Sequence, residues 1–151
     1  MSEVLFYHLE RYSLEDVLPG LLERTLARGW RALVRAESAD RAQALDTLLW
    51  TWNEESFLPH SQLGDGDTSA QPVLITVEGG NPNRAEVLFL VGGAIPDNWN
   101  DDSFSRVVVL FDGRDGAALA AARGAWQRVK ELGHEATYWR QSAPGKWEKQ
   151  A

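Results

Sequence analysis

The side chains whose types could support chemistry are three histidines, a short acidic turn and two glycine pairs. His8 lies in an apolar run, His60 in an irregular stretch and His134 just past a helical pattern. No spacing joins them into a metal triad or a base–nucleophile pair. A lone histidine is more often a hydrogen-bonded structural residue, and His134 suits a helix C-terminus, where a cation is favoured. D-G-D at Asp65–Asp67 hints at calcium, but the other ligands of an EF-hand loop are missing. Gly79–Gly80 and Gly92–Gly93 resemble phosphate loops without matching G-x-G-x-x-G or G-K-[ST]. V-G-G-A-I-P follows a strand-like run, which leaves a degenerate nucleotide site as the enzyme-like alternative. That site needs a helix N-terminus next, and Pro96–Ser103 reads as loop. Ser56 and Ser61 flank His60 without triad spacing, and no G-x-S-x-G appears. With no cysteine, disulfides, thiolate chemistry and cysteine-ligated zinc are excluded. The expectation is no catalytic residue, no metal and no cofactor.

Binding chemistry has better support, from tryptophans in unexpected places. In the last helical pattern Ala118, Ala121, Ala122, Ala125, Val129 and Leu132 form one apolar stripe at about 100° per residue. Leu119, Arg123, Trp126 and Lys130 form a second ridge rotated by roughly 110°, so Trp126 sits at the edge of the buried face between two cations. In the helix near residue 45, Ala42, Leu45, Leu48, Leu49 and Trp52 make the stripe, and Trp50 points roughly 140° away. Trp52 therefore reads as structural and Trp50 as a contact residue. An off-stripe tryptophan is often no more than a rim residue. An aromatic shelf beside a guanidinium nonetheless accepts an apolar side chain and a carboxylate together. S-F-L-P-H adds apolar Phe57, Leu58 and Pro59 to a loop, either to pin it onto the core or to meet a partner.

Net charge is −7, which disfavours broad contact with a phosphate backbone. The cations nevertheless gather late in the chain. From residue 123 on, Arg123, Arg128, Lys130, Arg140, Lys146 and Lys149 stand against Glu131, Glu135 and Glu148. An acidic body with a basic C-terminal element suits a local acidic ligand better than a long polyanion. Exposed tryptophans beside arginines also leave direct binding of single-stranded nucleic acid as an alternative.

These residues need a scaffold, and strand-like runs alternating with helical patterns predict an α/β domain. Strands are expected at Val4–Leu9, Trp30–Ala36, Pro72–Glu78, Val87–Val91, Arg106–Phe111 and Thr137–Gln141. Ser13, with Asp16 three positions on, caps a helix over about residues 14–28, which Pro19 and Gly20 should disturb. Ser38 starts a helix running to Thr51 or Trp52, and Asp115 and Gly133 bracket the last one. Residues 53–71 show no periodicity, and the stretch after about residue 142 reads as a mobile tail. The expected architecture is one domain over residues 1–151, three-layer α/β/α, with a mostly parallel sheet. No apolar run approaches the roughly 20 residues that span a bilayer, and the start lacks a basic signal region. A cytoplasmic location without membrane contact is expected.

F-Y-H-L at Phe6–Leu9, L-L-W followed by S-F-L-P-H, and Y-W-R-Q near the end carry a likeness along nearly the whole chain. In these segments the sequence resembles the chi subunit of bacterial DNA polymerase III. The resemblance implies a non-catalytic adaptor that binds the acidic C-terminal tail of single-stranded DNA-binding protein, a tail ending in Pro-Phe. DNA is then touched only indirectly. By position, Arg123 matches the family arginine that engages the tail, Trp126 its neighbouring aromatic, and Trp50 the tryptophan of the L-W motif. Gln127 stands where some relatives carry a cation, and Lys130 on the same face could supply that charge. The resemblance further implies pairing with the clamp-loader protein psi through Phe57, Leu58 and Pro59.

Overall fold

The computed structural model describes residues 3–10, 13–51, 60–62, 72–77, 80–94, 104–143 and 146–150. Strands β1 (Glu3–Leu9), β2 (Ala32–Arg35), β3 (His60–Gln62), β4 (Val73–Thr76), β5 (Val87–Leu90), β6 (Arg106–Asp112), β7 (Glu135–Ala143) and β8 (Lys146–Lys149) form one sheet. Its order is β3-β4-β2-β5-β6-β1-β7-β8, parallel throughout except for the antiparallel β7–β8 pair. The helices are α1 (Leu14–Ala27), α2 (Ala39–Thr51) and α3 (Gly116–Glu131).

The central strands are apolar on both faces, as parallel strands covered by helices must be, and alternate residues sort into two cores. On one face Val34, Ile75, Phe89 and Leu110 pack with Leu18 and Leu22 of α1 and Leu45 and Leu49 of α2. On the other face Phe6, Leu33, Leu88 and Val107 pack with Ala122 and Val129 of α3. The fold is therefore the expected three-layer α/β/α arrangement, with α1 and α2 across the sheet from α3.

Local chemistry explains most element ends. Ser13 Oγ accepts from the Asp16 N–H at 3.3 Å while Asp16 Oδ2 accepts from the Ser13 N–H at 3.1 Å. That reciprocal box starts α1. Gly133 leaves α3 at φ +82°, a left-handed conformation that glycine adopts without strain.

Three expectations need correction. α1 runs unbroken through Pro19. The proline forfeits only one bond, to the carbonyl of exposed Glu15, and its ring is buried beside Leu18. Within the stretch read as structureless, His60–Gln62 adds parallel strand β3 at the sheet edge, too short to show a period. Where a tail was expected, Lys146–Lys149 adds β8, so Thr137–Gln141 is not in the last strand. Three charged residues in four hid that strand. Trp147, the fourth, packs edge-on against Tyr7 at 4.8 Å.

Candidate aromatic–basic binding surface

The outer ridge of α3 carries Leu119, Arg123, Trp126 and Lys130 at helical spacing. Asp115 sets the start of that helix, its Oδ1 accepting from the N–H groups of Ala117 at 3.0 Å and Ala118 at 3.4 Å. Small Ala122 and buried Val129 let α3 settle on β1, β6 and β7. The helix is rotated slightly from the predicted stripe. Ala121 is exposed, whereas Leu119 and Trp126 lean onto the core.

Trp126 is half-buried. Its ring meets Phe6 edge-on at 5.4 Å and Tyr138 edge-on at 5.9 Å. Lys130 Nζ lies 5.5 Å from the ring centroid, a cation–π contact. Arg123, one turn earlier, is exposed and makes no hydrogen bond or ion pair among the described residues. Gln127 is exposed and adds no charge. The ridge thus presents an apolar wall, an unengaged guanidinium and a second cation within two turns.

Behind this ridge lies a polar group that sequence reasoning missed. Register pairs Phe6 with Tyr138 and His8 with Arg140, which sets these four side by side on the α3 face. His8 Nδ1 lies 2.6 Å from the Tyr138 hydroxyl. Burial holds the His8 imidazole below its ordinary pKa, although Glu10 pulls the other way. Burial also raises the Tyr138 phenol, against the charges of Arg123 and Arg140. The neutral pair assigns the phenol as donor to Nδ1 and leaves the ring proton on Nε2, 3.3 Å from Glu10 Oε1 and outside hydrogen-bonding geometry. Gly113 makes room, because a Cβ there would stand 1.7 Å from His8 Nε2. Arg140 Nε donates to Glu10 Oε1 at 2.9 Å. The signal in the sequence was the alternation of Tyr138 and Arg140 along a strand next to F-Y-H-L. Which strand would pair with it was not readable.

The remaining predicted residues lie on other segments or outside the described residues. Trp50 belongs to α2, and α2 covers the opposite face of the sheet over β3 and β4. Its side chain lies outside the described residues, as do Trp52, Phe57, Leu58, Pro59 and the D-G-D turn. A second aromatic–cation cluster was also missed. Trp30, beside β2, carries Arg28 at 4.8 Å and Arg106 at 5.3 Å from its ring, so the chain's own guanidinium groups already occupy it.

A crevice of about 510 Å³ opens at the C-terminal ends of β1, β5 and β6, where α/β sheets commonly hold ligands. Gly92 and Gly93 line it, as a nucleotide reading would want. Both helix N-termini there are capped by the chain's own Ser13 and Asp115, and Glu15, Asp112 and Asp115 line the mouth. Asp112 stays ionised, its pKa lowered first by the Arg114 N–H and then by the Arg114 side chain. The cations lining it, Arg41 and Arg114, are already paired with Glu15, Glu37 and Asp112, so a phosphate would meet carboxylates and amides already in use. Among the described residues, no group of three or more His, Asp or Glu could hold a metal ion, and no helix is long and apolar enough to cross a membrane.

Comparison with known proteins agrees with the architecture. A family model described as DNA polymerase III chi subunit, HolC, matches residues 1–137. A probable DNA polymerase III subunit chi from Rickettsia prowazekii (strain Madrid E) is 26% identical over 91 residues, covering 60% of this chain. The aligned part spans about half the length of that relative, 55%.

Proposed function

The chain belongs to the DNA polymerase III chi subunit family, replication accessory subunits, and on that premise we propose that it is a non-catalytic adaptor for the acidic C-terminal tail of single-stranded DNA-binding protein. One observation carries the reading: Arg123, unengaged among the described residues, stands one turn from half-buried Trp126, with Lys130 over the same ring. The tail's last apolar side chain rests against Trp126, Arg123 takes the terminal carboxylate, and Lys130 supplies the charge that Gln127 lacks. Trp50, whose family position gives it a place in the tail contact, is carried by α2, which packs over β3 and β4. The adaptor joins the clamp loader, through psi and the Phe57–Leu58–Pro59 segment, to coated DNA in the cytoplasm. Many tails on one coated strand make individually weak contacts sufficient.

Calorimetric titration with the peptide Asp-Asp-Asp-Ala-Pro-Phe tests the reading, beside the same peptide lacking Phe. Saturable binding that disappears with the Phe is expected. Equal binding of both peptides, or of neither, rejects it. Salt-sensitive binding of bare oligonucleotide in place of the peptide would move the function to direct nucleic-acid contact, which the −7 net charge opposes.

A further inference from the structure

Resting on the peptide-binding reading of α3, we propose that Arg140 extends the same site as a second anion contact for an acidic side chain upstream of the ligand's terminus, and that Glu10 occupies Arg140 in the free protein in place of that acid. Arg140 stands on β7 next to His8 on β1, on the sheet face that α3 covers. Tyr138, two residues earlier on the same strand, braces Trp126 and is anchored at its hydroxyl by His8. The positive charges of Arg123 on α3 and Arg140 on β7 both lower the pKa of the Tyr138 phenol, against its burial. A peptide whose terminal Phe rests on Trp126 gives its carboxylate to Arg123. Its preceding acids then run across Tyr138 toward Arg140.

The state of Arg140 supports the assignment. Its side chain is 52% exposed, and among the described residues its one partner is Glu10, which contacts Nε and Nη2 through a single oxygen. Among the described residues Nη1 has no partner, so the end-on edge of the guanidinium that grips a carboxylate side by side is half open. Glu10 is the more buried member, at 27% exposure, and its amide is fixed by Gln141 Oε1 at 2.9 Å. A carboxylate held on a fixed backbone competes with an incoming one for the same cation. Tyr138 and Arg140 also lie just beyond residues 1–137, the part that matches the family model.

The test titrates wild type, Arg123→Ala, Arg140→Gln and Glu10→Gln with the acidic hexapeptide and with its Asn-Asn-Asn-Ala-Pro-Phe counterpart. Arg140→Gln should weaken the Asp peptide about three- to fivefold and leave the Asn peptide unchanged. Glu10→Gln should tighten the Asp peptide by a similar factor, a gain that damaged folding does not produce. If Arg123→Ala abolishes binding while Arg140→Gln leaves the Asp peptide unchanged, the inference falls and the α3 reading stands. Equal weakening of both peptides by Arg140→Gln, or no tightening by Glu10→Gln, also overturns it. If wild type binds neither peptide, both readings fall together.

Discussion

Trp126 of α3 and Tyr138 of β7 meet edge to face, their ring centroids 5.9 Å apart and their planes at 84°. The proposed binding wall is thus held by a strand residue whose hydroxyl is itself tied to His8. Removing the tie and removing the wall should separate. Tyr138→Phe leaves His8 Nδ1 unpaired and should cost about 1 kcal/mol in denaturant unfolding, with peptide affinity nearly unchanged. Tyr138→Ala should also loosen Trp126 and weaken the peptide. Equal affinity loss in both variants would mean that the hydroxyl, not the ring, does the bracing.

Arg123→Ala should leave thermal stability unchanged, because the guanidinium has no partner among the described residues. The same variant should weaken the acidic peptide at least about tenfold, the scale of one charge-assisted hydrogen bond. A fall in melting temperature without a change in affinity would reverse this assignment.

Gly113→Ala tests the space beside His8. Its Cβ would stand 1.7 Å from Nε2 of an imidazole that packs against Phe111 and is hydrogen-bonded to Tyr138 through Nδ1. The imidazole must move, at a cost of about 1–3 kcal/mol as in other overpacked cores. Urea unfolding measures it, and an unchanged midpoint would show that the ring swings away freely.

His8 also predicts a pH dependence. Burial lowers its pKa in the folded state, so the unfolded chain takes up the proton first as pH falls. This contribution is fully present above the unfolded value of about 6.5 and is lost below it. Wild type should lose more melting temperature between about pH 7.5 and pH 5.5 than His8→Gln does. Parallel slopes in the two proteins would remove His8 as the cause.

Trp147→Ala should destabilise by about 2 kcal/mol, combining lost apolar burial with the ring contact to Tyr7. A disordered tail would give no change in the unfolding midpoint.

The fold was legible where apolar runs were long. Arg106–Asp112 and the other central strands show continuous apolar character, and Ser13, Asp16 and Asp115 mark their helix starts through side-chain chemistry. β3 and β8 were not legible, since their residues pair through backbone bonds that short, polar segments do not advertise. The ridge on α3 could be read because helical spacing fixes its geometry. Its support could not, because His8 and Tyr138 lie 130 positions apart and meet only through sheet register. The same limit applies to Trp50, whose helix α2 packs on the face opposite α3 while its side chain lies outside the described residues. Periodicity orients a residue on its own helix and is silent about which face of the sheet that helix covers.

The β7 edge carries one more consequence. β8 runs antiparallel, is four residues long, and meets β7 with a register shift between Gln141 and Ala143. Together with its charged Lys146, Glu148 and Lys149, this makes a poor template for another extended chain. At high concentration the protein should resist growing into stacked sheets from that side. β7 is paired on both sides, by β1 and β8, so it offers an arriving extended chain no free edge to lengthen.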